Sequence, residues 1–153
     1  MEHNGKTWTP EELTQLLSGV LDEGAAVPLV VSGSSMVPFL VHGRDTVYLS
    51  KITEPIRQGD VVLYRRKDGE LVLHRVFRTG RNGFSMVGDA QQDIESGIMA
   101  DQLLAVTTAV RRKGKLLTKN SPQWKFFETI WLWATPWRKK LIACYARATR
   151  KRR

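Results

Sequence analysis

Two side chains in this sequence have the chemistry of a nucleophile and its base. A serine hydroxyl is a weak nucleophile and attacks a carbonyl only when a base within hydrogen-bond reach takes its proton. Ser35 lies in Ser32-Gly33-Ser34-Ser35-Met36-Val37-Pro38-Phe39-Leu40, after the β-forming run Leu29-Val30-Val31. Gly33 admits backbone angles closed to other residues, so a sharp turn here can hold a hydroxyl out of the packed body. Of three histidines, His3 sits in the polar start and His42 in the turn His42-Gly43-Arg44-Asp45. His74 differs, because strand alternation in Leu71-Val72-Leu73-His74-Arg75-Val76-Phe77 sets it on one face with Val72 and Val76. A base needs an orienting group, and Gly88-Asp89-Ala90-Gln91-Gln92-Asp93-Ile94-Glu95 offers the carboxylates of Asp89, Asp93 and Glu95. The residues alone do not choose among the three. Each element also has a plain structural reading: a Ser/Gly turn between strands, and a histidine satisfied inside a core.

The elements that must hold these groups are short. At 153 residues and 42% hydrophobic content the chain suffices for one domain with a real core. Thr9-Pro10-Glu11-Glu12 is a capping-box helix start, followed by Leu13, Leu16, Leu17 and Val20 at helical spacing, with Gly24 placed to end the helix. From Val27 to about Thr118 the pattern becomes short β-rich runs between Gly, Asp and Asn turns, which predicts a mainly β fold: a compact, mostly antiparallel sheet. The expected strands are Leu29–Val31, Thr46–Ser50, Val61–Arg65, Leu71–Arg78, Phe84–Val87, Leu103–Arg111 and Lys115–Thr118, with hairpin turns at Asp68-Gly69 and Asn82-Gly83. The expected organisation is a helical prefix (1–27), a β domain (28–120) and an aromatic, basic helical tail (121–153).

The net charge of +9 belongs mostly to that tail. After Pro136 there are eight Arg or Lys and no acid; without them, 16 of the 24 basic residues remain against 15 acidic ones. Ser121-Pro122 and Thr135-Pro136 each open a helix, and four of the five tryptophans (Trp124, Trp131, Trp133, Trp137) lie in or beside these segments. Trp with Arg and Lys suits a helix lying on an anionic membrane surface, so Trp124–Arg153 is the expected membrane contact; it serves equally well to close a face of the sheet. No base-reading motif accompanies the basic tail, and nucleic acid is not an expected partner. Cys144 is the only cysteine, which excludes an internal disulfide. The polar Met1–Thr9 start lacks a signal-peptide core, and no run of about 18 apolar residues exists, so the expected location is cytoplasmic or peripheral on the cytoplasmic membrane face.

The stretch Ser32 to Leu40 resembles the nucleophile motif of the signal peptidase I family and of the LexA-type self-cleaving repressors, in which a serine immediately before methionine attacks. Further elements follow in the family order: a Gly/Asp turn with a strand (Gly43 to Leu49), Gly59-Asp60-Val61-Val62 opening a hairpin, the base on its return strand, then Gly88-Asp89. The similarity covers about residues 28 to 110. Most bacterial members carry a lysine base; His74-Arg75-Val76 resembles instead the histidine-bearing subclass of the endoplasmic reticulum, archaea and sporulating bacteria. The 27-residue prefix carries neither the membrane anchor of the peptidases nor the helix-turn-helix domain of the repressors.

The resemblance implies a serine endopeptidase cleaving a leader or precursor peptide, with Ser35 as nucleophile, His74 as general base, and no cofactor or metal. Asp93 is the expected orienting carboxylate, although the family spacing falls nearer Glu95, and Asp89 braces the turn. The Ser35 N–H is the expected first oxyanion donor with Ser34 or Ser32 as the second, and Met36 and Pro38 are expected beside the substrate. The second reading is a catalytically inactive peptide-binding or membrane-docking protein with the same fold.

Overall fold

The computed structural model describes residues 2–3, 6–7 and 9–150, and of the side chains those from residue 9 to 144 together with Arg147. Strands β1 (Glu2–His3) and β2 (Lys6–Thr7) precede helix α1 (Pro10–Asp22), and eight further strands follow. These are β3 (Val27–Val30), β4 (Thr46–Ser50), β5 (Val61–Arg65), β6 (Leu71–Gly80), β7 (Gly83–Val87), β8 (Glu95–Ile98), β9 (Leu103–Arg112) and β10 (Lys115–Thr118). The pairings are antiparallel, in the order β2-β1-β3-β4-β9-β5-β6-β7-β8, with β10 paired to β9. The mainly β, antiparallel fold is as expected; the sheet is not closed, so the barrel-like form that the resemblance implies is here an open sheet with β9 as its bridge.

Alternation explains the packing. On β5, Val61 and Leu63 enter the main core while Val62 and Tyr64 enter a second cluster on the other face. Both faces of this strand are covered, which is why Val61-Val62-Leu63-Tyr64 reads as a continuous apolar run. The β5–β6 hairpin pairs Val62 with His74 and Tyr64 with Val72, placing Tyr64 and His74 diagonally on one face. Helix α1 is capped as the residues dictate: Thr9 Oγ1 accepts the Glu12 N–H at 3.2 Å and Glu12 accepts the Thr9 N–H at 3.0 Å. It buries Leu13, Leu17 and Leu21 against the sheet.

The tail is part of this core. Helix α2 (Pro122–Phe126) runs into a π-helical turn at Phe127–Trp131, and a 3-10 turn at Thr135–Trp137 leads to helix α3 (Arg138–Arg150). Trp124, Phe127 and Trp131 belong to the main cluster, with Phe39 stacking edge-on to Trp124 at 5.6 Å between ring centroids. Among the described residues, no helix is long and apolar enough to cross a membrane.

Candidate active site

The Ser35 loop links β3 to β4 and is fastened at both ends. Val31 donates to the Asp45 carbonyl at 2.9 Å and Gly43 donates to the Val31 carbonyl at 2.9 Å. The buried Asp45 carboxylate accepts from Val41 N–H, Lys113 N–H and the Arg44 guanidinium. Burial pushes this carboxyl up, but those donors together outweigh it and hold Asp45 below its ordinary value. Gly33, at φ +81°, donates its N–H to His42 Nδ1 at 3.2 Å, which gives the second histidine an anchoring task. Arg112 donates to the carbonyls of Pro38 and Phe39 at 3.0 and 2.8 Å. Met36, Phe39 and Leu40 are buried beneath, so the loop is pinned by its apolar half and presents its serine half to solvent.

Ser35 and His74 line one cleft of about 490 Å³. Ser32, Gly33, Ser34 and Met36 form its wall on the loop side, and Leu71, Val72 and Leu73 form it on β6, with Ala90 and Gln91 closing one end. Ser32 and Ser34 are exposed and Ser35 is half-buried. Among the described residues, no hydrogen bond joins the Ser35 and His74 side chains, and the Ser35 N–H makes none. Pro38 is not among the residues lining the cleft: its carbonyl is taken by Arg112. Met36 is both a cleft wall and a core residue.

His74 is 4% exposed and is backed by a polar chain. Its Nδ1 lies 3.4 Å from the Tyr64 hydroxyl, a long contact, and that hydroxyl donates to Glu95 Oε2 at 2.7 Å. Arg66 forks onto Glu95 with Nε at 3.0 Å from both oxygens and Nη2 at 2.8 Å from Oε2, and it also holds Glu70. Burial, reinforced by Glu95, raises the Tyr64 hydroxyl, which stays protonated. Burial also tends to raise Glu95, but the bonds from Arg66 and Tyr64 prevail and hold it low and ionised. With the tyrosine proton committed to Glu95, the tyrosine oxygen faces His74 Nδ1 as an acceptor. That favours the tautomer with its proton on Nδ1 and leaves the lone pair on Nε2. Burial, aided by the Arg66 charge, lowers the His74 pKa to about 4, so the imidazole is neutral at neutral pH.

The expected carboxylates separate into three roles. Asp93 is exposed and lines a recess of about 430 Å³ that also reaches His74; it makes no hydrogen bond among the described residues. Glu95 is the one connected to His74, through Tyr64. It stands in β8, a strand the residues did not announce because Glu95-Ser96-Gly97-Ile98 is polar and short. Asp89 is fully buried and receives Arg75 Nε at 2.9 Å and Nη2 at 2.7 Å. Arg75 also donates to the Gly59 carbonyl at 2.8 Å and lies over the Phe39 ring at 5.0 Å, which ties the Asp89 turn to the apolar half of the serine loop. The Ala90 N–H reaches the Ser35 carbonyl directly at 2.8 Å.

The tail completes this bracing. Trp131 Nε1 donates to the Asp89 carbonyl at 2.9 Å, and the buried Arg138 donates to the carbonyls of Gly88 at 2.8 Å and Trp131 at 3.0 and 3.1 Å. Burial lowers the Arg138 pKa while the nearby Asp89 charge opposes it. The residue patterns do not mark Tyr64 or Arg66, and they count Arg138 only among the tail cations expected at a membrane, whereas it is buried on the Gly88 carbonyl. The one available signal was the hairpin register set by Asp68-Gly69, which brings Tyr64 beside His74.

Comparison with family models, with curated proteins and with solved structures returned no match for this chain. Among the described residues, no group of His, Cys, Asp and Glu is arranged to hold a metal ion.

Proposed function

We propose that this protein is a serine endopeptidase of the signal-peptidase type, acting on a leader or precursor peptide. The observation that carries the proposal is the cleft shared by Ser35 and His74, with Tyr64 and Glu95 behind the imidazole. Ser35 Oγ attacks the peptide carbonyl carbon as His74 Nε2 takes its proton. The Ser35 N–H, with a hydroxyl from Ser34 or Ser32, receives the oxyanion of the tetrahedral intermediate. Collapse breaks the C–N bond, His74 returns the proton to the leaving amine, and an ester remains on Ser35. A water deprotonated by His74 hydrolyses that ester and restores the serine. No step requires a metal or cofactor. Apo sites of this kind commonly close the nucleophile–base hydrogen bond only once substrate is bound. On this proposal the enzyme works in the cytoplasm or on the cytoplasmic face of the membrane.

The second reading, a peptide-binding or membrane-docking protein with an inactive site, draws on the unbridged Ser35 and His74 side chains. Covalent labelling separates the two. A panel of peptide phosphonates, followed by mass mapping, is expected to place one adduct on Ser35 and none on Ser34 or Ser32. The adduct is expected to vanish in Ser35→Ala and to form on the order of 10²-fold or more slowly in His74→Ala. A folded wild type that takes no adduct on Ser35 would favour the second reading.

A further inference from the structure

We infer that the exposed aromatic ridge of the tail docks this protein on an anionic bilayer surface. The ridge is the outer side of the α2–α3 connection. It lines a shallow groove of about 1050 Å³ with Phe77, Ile94, Ile130, Trp133 and Trp137. Ile130 is 63% exposed, Trp133 84% and Trp137 55%, whereas Trp124 and Trp131 of the same segment are buried. The tail therefore divides by task, with Trp124, Phe127 and Trp131 filling the core and the remaining indoles facing out.

The occupant is indicated by charge. No acid follows Glu128, and that one is paired with Lys125. Lys139, Lys140 and Arg147 are exposed on α3, and the chain continues Arg150-Lys151-Arg152-Arg153. Leu141 and Cys144 are exposed as well, while Ile142 packs on the core, so part of the apolar side of α3 has no partner among the described residues. Indoles seated at the headgroup level, with lysines and arginines reaching lipid phosphates, are the arrangement an interface stabilises. A second copy presenting the same basic helix would be repelled. Buried Arg138 is engaged with the Gly88 turn and is not one of the lipid-facing cations.

The groove shares Ile94 with the recess that reaches His74, so docking would bring that recess near the bilayer. The test reads binding without catalysis, so docking and peptidase activity can fail separately. The full chain is mixed with vesicles of phosphatidylcholine, alone or with about 30% phosphatidylglycerol. It is expected to sediment with the anionic vesicles only and to be released at about 0.5 M salt. Brominated lipid should quench its tryptophan emission, and the quenching should be lost in the Trp133→Ala/Trp137→Ala variant. Lys139→Ala/Lys140→Ala should weaken partition by roughly 25-fold, about fivefold for each cation removed. Equal binding to neutral vesicles, undiminished quenching in the tryptophan variant, or binding to nucleic acid with none to vesicles would overturn the inference.

Discussion

His74 accepts a proton from a nucleophile only while its own ring is neutral, and its surroundings set when that is so. Burial brings its pKa to about 4, so protonation removes the base only below that pH, where an exposed histidine would fail below about 6.5. The acid limb of kcat/KM against pH should therefore fall near 4. The Glu95 charge opposes this depression and Arg66 deepens it. Glu95→Gln removes the first and leaves the second unneutralised, so the acid limb should move to still lower pH, with kcat reduced by roughly tenfold or more. A limb near 6.5, or one unmoved by Glu95→Gln, would separate His74 from the rate. Ser35 and His74, which line one cleft, stood out as candidates in the residues because a serine before methionine and a histidine inside an apolar strand are unusual at those places. Which carboxylate stands behind the imidazole was not legible. Asp93 and Glu95 stand two residues apart, and only the strand pairing of Met86 with Glu95 turns one of them toward Tyr64.

The Gly88–Gln91 turn does for the elements what Tyr64 does for the ring. It receives Arg75 from β6, Trp131 and Arg138 from the tail, and contacts the serine loop through Ala90. A Cβ on Gly88 would meet the Ser35 carbonyl oxygen at 2.6 Å, which explains the glycine there by close approach. Removing Asp89 leaves Arg75 buried and unpaired, a loss that typically costs about 3–5 kcal/mol. Asp89→Ala should show that loss in denaturant unfolding, whereas Asp93→Ala should change stability by less than about 0.5 kcal/mol. Strand positions were largely legible, because alternation and the Asp-Gly and Asn-Gly turns state them locally. The contribution of the tail to the turn was not, since Trp131 and Arg138 act across long sequence separations that no local pattern records.

At the scale of the molecule, an open antiparallel sheet carries the groups of the proposed site on separate elements: Ser35 on the β3–β4 loop, His74 on β6, and Glu95 on β8. The tail locks the turn beneath them on one side and presents an aromatic, basic surface on the other. The mainly β class was evident from turn spacing, but closure was not, because the choice between an open sheet and a barrel depends on which edges meet rather than on any residue pattern. The central claim is that Ser35 and His74 act together on a peptide bond. Its most direct test is digestion of a peptide library at neutral pH, read by mass spectrometry, with folded wild type beside Ser35→Ala and His74→Ala. A shared set of cuts in the wild type, abolished in the first variant and reduced by about 10²–10⁴-fold in the second, is the predicted result. A folded wild type that cuts nothing, or cuts that survive in Ser35→Ala, would contradict it.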